Sequence, residues 1–105
     1  MKITYLTFIL ILLVPIFGLA QTQPLSGRVT DAETGEVLVG VSVTVNTSSG
    51  EARTTSTNDE GEYSMAISPD VTTVTFEYIG KVTVTEQIAG RTTINVQLGT
   101  DEGQL

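Results

Sequence analysis

Three carboxylates surround one glycine near the middle of the chain: Asp59, Glu60 and Glu62 flank Gly61. Carboxylates this close can act as a general acid and base, and their oxygens are the ligands that calcium prefers. If Gly61 takes the sixth position of a twelve-residue calcium loop, Ser56 and Ile67 occupy the first and last positions, where carboxylates are required. The sequence therefore favours a solvated acidic turn, with a weak calcium site as the alternative.

The 105-residue chain contains neither histidine nor cysteine. Serine–histidine and cysteine–histidine nucleophiles and histidine-based zinc sites are therefore excluded. Without cysteine the fold also has no disulfides and must be held by its own core. We expect no catalytic site, no metal and no cofactor, and a small hydrolase is the least favoured function.

Three aromatic residues, Tyr63, Phe76 and Tyr78, offer rings on which a sugar could stack. Each falls on the inward phase of an alternating segment, so core packing is the favoured interpretation. Arg91 follows the Ala89-Gly90 turn and is either a partner contact or a solubilising charge at a sheet edge.

Short alternating segments separated by turn residues at intervals of about 8 to 12 positions predict an all-β sandwich. No stretch has helical periodicity. The seven predicted strands are 25–31, 39–45, 52–57, 63–67, 73–78, 81–88 and 92–98.

The alternation also assigns a face to each side chain, and it points Val39, Tyr78 and Val82 inward. Segment 52–57 has few apolar residues and is predicted to be a solvated edge strand, whereas 73–78 should be central in its sheet. Glu86 interrupts an inward series, either at a bulge or past the edge of the core. Gly61 is expected to have a positive φ in the turn 58–61.

Residues 1–20 have one early positive charge at Lys2 and then an apolar run, which predicts a signal peptide cleaved after Ala20, with an uncleaved anchor as the alternative. The rest is long enough for one domain, 21–98, followed by an acidic linker, 99–105. Without Lys2 the exported part has four basic side chains against twelve acidic ones, so nucleic acid would be repelled. We therefore expect an exported domain, and a Gram-negative periplasm is compatible with this composition, as is any other exported location.

Five motifs resemble those of carboxypeptidase regulatory-like domains. They are V-T-D-A-E-T-G-E at 29–36, G-V-S-V-T-V at 40–45, N-D-E-G-E-Y-S at 58–64, F-E-Y-I-G at 76–80 and R-T-T-I-N-V at 91–96. The last two together more narrowly resemble the N-terminal extension of SusC/RagA-type TonB-linked outer-membrane transporters. The resemblance implies a seven-stranded, antiparallel, prealbumin-like sandwich in the periplasm of Bacteroidetes-type bacteria, preceding a plug and barrel that import glycans or peptides.

Two departures from the family pattern concern the surface that a partner would contact. Val37 and Val39 stand where the family often has prolines, and Lys81 stands where an aromatic residue commonly follows Y-I-G. With Arg91, these residues form the predicted partner surface.

The function that the resemblance implies is a noncatalytic accessory domain that contacts the transporter's plug and barrel or the TonB-type energy-transducing machinery. The alternative is a stand-alone exported adhesion or carbohydrate-binding module. Transporters of this class continue beyond the position of Leu105, so we expect the chain to be a fragment, a truncated form or an independent module.

Overall fold

The computed structural model describes residues 22–101, which form seven strands in two sheets. One sheet has the order β4-β1-β7 and the other β3-β2-β5-β6. The strands are β1 (Gln23–Asp31), β2 (Ser42–Thr47), β3 (Ala52–Ser56), β4 (Glu62–Ile67), β5 (Val71–Glu77), β6 (Val84–Gln87) and β7 (Val96–Leu98). The predicted all-β sandwich is confirmed. The predicted signal peptide and residues 102–105 of the predicted linker lie outside the described residues.

The strand pairing departs from the antiparallel expectation at one place. Four of the five pairings are antiparallel, but β1 and β7 are parallel, with Val29 opposite Val96. The connection 88–95 carries the chain from the four-stranded sheet to the three-stranded one, so β7 arrives beside β1 in the same direction. A crossover between sheets permits a parallel neighbour that no hairpin could supply.

The core lies between the two sheets, and its fully buried strand residues come from every strand except β3 and β6, while Val84 of β6 packs against it half-buried. Within β2 the alternation holds strictly, because Val43 and Val45 are buried while Ser42 and Thr44 face outward. Tyr63 and Phe76 meet edge to face across the core with ring centroids 5.4 Å apart. The buried apolar residues are Leu25, Val29, Val41, Val43, Val45, Tyr63, Ile67, Val71, Val74, Phe76, Ile88, Ile94, Val96 and Leu98.

The inward assignments of Val39, Tyr78 and Val82 are wrong, because all three side chains are exposed. Each residue lies just beyond a strand end: β2 begins at Ser42, β5 ends at Glu77 and β6 begins at Val84. The two-residue period orients side chains only within extended backbone. Gly40 (φ 83°) and Gly80 (φ 78°) interrupt the extended backbone near these residues.

The other local predictions can be compared directly with the strands. β3 is an exposed edge strand and β5 is interior, both as expected. Gly61 has the expected positive φ, 75°. β6 pairs with β5 without a bulge, and Glu86 lies opposite Val74 but half-exposed at the core edge.

The sandwich has two ends, each formed by a set of loops. The apolar end comprises residues 32–41, 57–61, 78–83 and 99–101, and the polar end comprises 48–51, 68–70 and 88–95. Thr57 joins two loops at the apolar end, because its Oγ1 donates to the Leu38 carbonyl (2.6 Å) and accepts from the Val41 N–H (2.9 Å).

Candidate functional site

The acidic turn is organised by an asparagine side chain. Oδ1 of Asn58 accepts hydrogen bonds from the backbone N–H groups of Glu60 (2.9 Å) and Glu62 (3.0 Å). The Glu62 carboxylate forms an exposed ion pair with Arg28 at 3.0 Å. Within residues 22–101, no group of three or more acidic side chains is close enough to hold a metal ion. The turn's geometry is therefore explained by its own hydrogen bonds.

The three aromatic side chains do not form a shared platform. Phe76 is fully buried and Tyr63 is nearly so, whereas Tyr78 lies exposed beyond β5. The Tyr63 hydroxyl donates to the Ile94 carbonyl at 2.6 Å, and burial raises the pKa of Tyr63 to about 12. Core packing is thus confirmed for Tyr63 and Phe76 and is wrong for Tyr78.

Gly27 makes this hydrogen bond geometrically feasible. It pairs with Tyr63 across β1 and β4, and a Cβ added at Gly27 would lie 1.9 Å from the Ile94 carbonyl oxygen. Only glycine allows that backbone to approach β1 so closely. Ser26 of β1 also bonds to this segment through its backbone. Its N–H donates to the Thr92 carbonyl, and its carbonyl accepts from the Ile94 N–H.

The outer face of the three-stranded sheet forms a polar concavity of about 860 Å³. Its side chains are hydroxyls, amides and the Arg28–Glu62 ion pair, and Oδ1 of Asn95 accepts from the Arg28 backbone N–H at 2.9 Å. The residues on this polar face are Ser26, Arg28, Thr30, Glu62, Ser64, Asn95 and Gln97. Such a surface can donate and accept hydrogen bonds, and it contains no nucleophile paired with a base.

Sequence reasoning missed the polar face, because its residues come from three separated segments. The alternation in each segment shows that these side chains face outward. It does not show that β4 and β7 lie on either side of β1.

The four residues of the predicted partner surface are not contiguous. Val37, Val39 and Lys81 lie at the apolar end, but Arg91 lies at the polar end. There the Arg91 guanidinium bonds to Glu86 (3.1 Å) and to the backbone carbonyls of Gln87 and Ile88. Arg91 therefore stabilises its own turn.

Lys81 is also held within the domain. Its Nζ lies 2.6 Å from Oδ2 of Asp31, and both side chains are only 14% exposed. Two hydrogen bonds to its carboxylate hold the pKa of Asp31 below its usual value. The one from Lys81 has the larger effect, and the one from the Glu33 N–H has the smaller. The ion pair joins the end of β1 to the loop 78–83.

The apolar end carries every large apolar side chain that is exposed among residues 22–101. Ile79 is 92% exposed, and the remaining four are between 36% and 49% exposed. Together they are Val37, Val39, Tyr78, Ile79 and Val82. A shallow depression of about 480 Å³ lies beside Ile79, between the start of β2 and Thr83.

The chain also leaves the described domain at the apolar end. Residues 99–101 run beside 80–82, with the Val82 N–H donating to the Gly99 carbonyl and the Asp101 N–H to the Gly80 carbonyl, both at 2.9 Å. Thr100 Oγ1 adds a hydrogen bond to Glu33 at 2.9 Å. The first three residues of the predicted linker are therefore bound to the loop that presents Ile79.

Among residues 22–101 there is no helix long and apolar enough to cross a membrane.

Comparisons with known proteins agree with this architecture. The sequence model of the carboxypeptidase regulatory-like domain matches residues 24–101. The TonB-dependent receptor P3 of Formosa agariphila is 32% identical over 98 residues, which cover 93% of this chain and 10% of that receptor. The chain thus spans about a tenth of the length of this relative.

Two crystal structures of the shaft pilin SpaA from Lactobacillus rhamnosus GG, one of them a mutant, share the fold. Their TM-scores are 0.55 and 0.50 at 15% identity, covering 76% and 75% of this chain and 50% and 46% of the pilin chains. At this identity the likeness concerns the fold alone. Because the family match begins within β1 and runs through all the later strands, the chain belongs to the carboxypeptidase regulatory-like domain family.

Proposed function

We propose that this domain is a noncatalytic accessory domain of a TonB-dependent outer-membrane transporter of the SusC/RagA type. It acts in the periplasm by contact with the transporter's plug and barrel or with the energy-transducing machinery. The observation that carries the proposal is the 32% identity, over 93% of the chain, to part of a TonB-dependent receptor. The matched length, about a tenth of that receptor, is the size of one domain.

The geometry of the described residues supports a contact role. Two of the three ion pairs among them fasten loops or turns to neighbouring segments. The described residues present two surfaces to other molecules, the polar face and the apolar end. Noncatalytic coupling requires nothing more.

An in-frame deletion of residues 22–101 in the host bacterium tests this function. We expect the transporter's barrel to remain in the outer membrane at its normal level, measured by immunoblot, while TonB-dependent uptake of its glycan or peptide substrate falls. Uptake that stays normal for every substrate requiring a TonB-dependent transporter would contradict the proposal.

The polar face favours a second function, a stand-alone exported adhesion or carbohydrate-binding module. Hydroxyls and amides converging on a concave surface can hydrogen-bond a glycan, although the face lacks an exposed aromatic ring. Calorimetric titration with glycans from the host's habitat tests it. Gln97→Ala should then abolish binding, whereas Thr85→Ala, on the outer face of the other sheet, should leave it unchanged.

A further inference from the structure

We propose that the apolar end is the surface by which this domain docks onto its transporter, against a protein patch with an apolar centre and a basic rim. The inference rests on the proposed function and adds to it the contact surface and the chemistry of the partner. It excludes the polar face and the polar end as the docking site.

The clustering of exposed apolar side chains is the first argument. Single exposed valines or isoleucines are ordinary on soluble proteins, but a contiguous group at one place marks an interaction surface. Here the whole set within residues 22–101 lies in two neighbouring loops, 32–41 and 78–83. The large apolar residues in the loop 88–95 at the polar end, Ile88 and Ile94, are instead buried.

The loop that presents Ile79 is held in place by several interactions. The Lys81 N–H closes a turn on the Tyr78 carbonyl at 3.0 Å, Lys81 is ion-paired to Asp31, and Val82 is bonded to Gly99. An apolar side chain on a pre-organised loop loses little conformational entropy when it is buried by a partner. Ile79 beside its shallow depression therefore has the geometry of an anchor residue.

Charge identifies the kind of partner. Exposed carboxylates surround the apolar side chains, and the basic side chain of these loops, Lys81, is already paired with Asp31. The acidic rim consists of Glu33, Glu36, Asp59, Glu60 and Glu77. A basic rim on the partner would complement it, whereas an anionic lipid surface or a second copy of the same end would be repelled.

The described part of the chain ends at the apolar end, where the Asp101 N–H is bonded to the Gly80 carbonyl. A partner that is covalently joined to the same chain has a high effective concentration at its docking site, so even a small patch can remain docked.

Site-specific photo-crosslinking in the host bacterium tests the inference with the chain in its native context. Ile79→benzoylphenylalanine and Val82→benzoylphenylalanine report on the apolar end. Ser49→benzoylphenylalanine, at the polar end, and Ser64→benzoylphenylalanine, on the polar face, are the matched controls. All four positions are exposed, so the probe should not disturb folding.

We expect positions 79 and 82 to crosslink to plug or barrel peptides, identified by mass spectrometry, and the two controls to give none. Adding Ile79→Ser should lower the yield from position 82 about tenfold, as for the loss of a central apolar anchor. Glu36→Lys should also lower it, whereas Glu51→Lys at the polar end should not.

Other outcomes overturn the inference in distinguishable ways. Transporter crosslinks from position 49 or 64 with none from 79 or 82 would refute the docking surface and leave the proposed function standing. Crosslinks from 79 and 82 only to lipid or to a second copy would refute the partner assigned here. No transporter crosslink from any position, combined with normal uptake after the deletion, would refute both.

Discussion

Two apolar regions of the molecule are built from the same residue types and have opposite roles. Val43 and Phe76 lie between the sheets without solvent exposure, while Val39 and Ile79 lie at the apolar end in contact with water. The two regions are only a few residues apart in sequence, and what separates them is a strand end. Within a strand, alternation buries every second residue; beyond it, the glycines at 40 and 80 turn the chain outward.

Apolar residues on the two sides of a strand end therefore contribute to different quantities: the free energy of unfolding within the strand and the free energy of binding a partner beyond it. Removing one from the interior changes the free energy of unfolding, because it leaves a cavity. Removing Ile79, which is 92% exposed, takes away almost no buried surface from the free domain and should change mainly the free energy of binding. The predictions below test that division, beginning with the interior.

Phe76→Ala should lower the free energy of unfolding by about 3 to 5 kcal/mol, because the ring is fully buried and packs edge to face on Tyr63. For a domain of this size the loss would leave little stability. Urea denaturation followed by circular dichroism measures it. Thr75→Ala, outside the core on the same strand, is the control and should be much milder; near-equal stability of Phe76→Ala and wild type would show that the interior is not the stabilising region.

Tyr63→Phe should cost about 1 to 2 kcal/mol, because the Ile94 carbonyl loses its buried donor. It should also change the alkaline limb of stability. Since the folded pKa of about 12 exceeds the unfolded value of about 10, the tyrosine's contribution is complete below pH 10 and is lost as the pH rises to 12.

That alkaline loss amounts to about 2 to 3 kcal/mol for wild type and should be absent from Tyr63→Phe. Tyr78→Phe, outside the core, should keep the wild-type loss. Denaturant titrations at pH 9 to 12 compare the three proteins. An unchanged alkaline limb in Tyr63→Phe would mean that another group produces it.

The sequence was sufficient to predict the sandwich because its evidence is local. Alternating valines in β2 and the Asn58-to-Gly61 turn encode strand and turn geometry within a few residues. The errors also have a local cause, since the same alternation extends back through Val39 and Val82, which lie before β2 and β6 begin. Period alone cannot show where the backbone hydrogen bonds stop.

The interactions that build the surfaces are not local, and the sequence could not predict them. Asp31 and Lys81 are 50 residues apart in sequence. The Ile94 carbonyl reaches Gly27 and Tyr63 only because the connection 88–95 crosses to the sheet that contains β1. A glycine inside an alternating strand was the one available signal of close backbone approach. That signal, Gly27, does not identify which segment lies against β1.

Asp31→Asn should weaken the connection between the interior and the apolar end. The Asp31 pKa is depressed in the folded state, so its contribution is present above the unfolded value of about 3.9 and is lost as the pH falls through the folded pKa. The variant should be less stable than wild type at pH 7 and should lose less stability on acidification. Thermal denaturation from pH 2 to 7 measures both effects.

Hydrogen exchange locates the effect of Asp31→Asn in the structure. Amides at 80–82 and 99–101 should exchange faster in Asp31→Asn, because Lys81 is released from β1, while those in β2 and β5 should be unchanged. Asp59→Asn, in the neighbouring turn, is the control. Equal protection of 80–82 in Asp31→Asn and wild type would show that the backbone hydrogen bonds alone hold the loop.

Ile79→Ser should have the smallest effect on folding, within about 0.5 kcal/mol of wild type, although it removes a large apolar side chain. The side chain is 92% exposed in the folded domain, so it buries almost nothing on folding and leaves no cavity when removed. Val43→Ser, which introduces the same residue into the interior, is the matched comparison and should be severely destabilising. Urea denaturation of both variants gives the two values side by side. If Ile79→Ser lost stability comparable to Val43→Ser, the apolar end would belong to the folding core and could not be a surface held free for a partner.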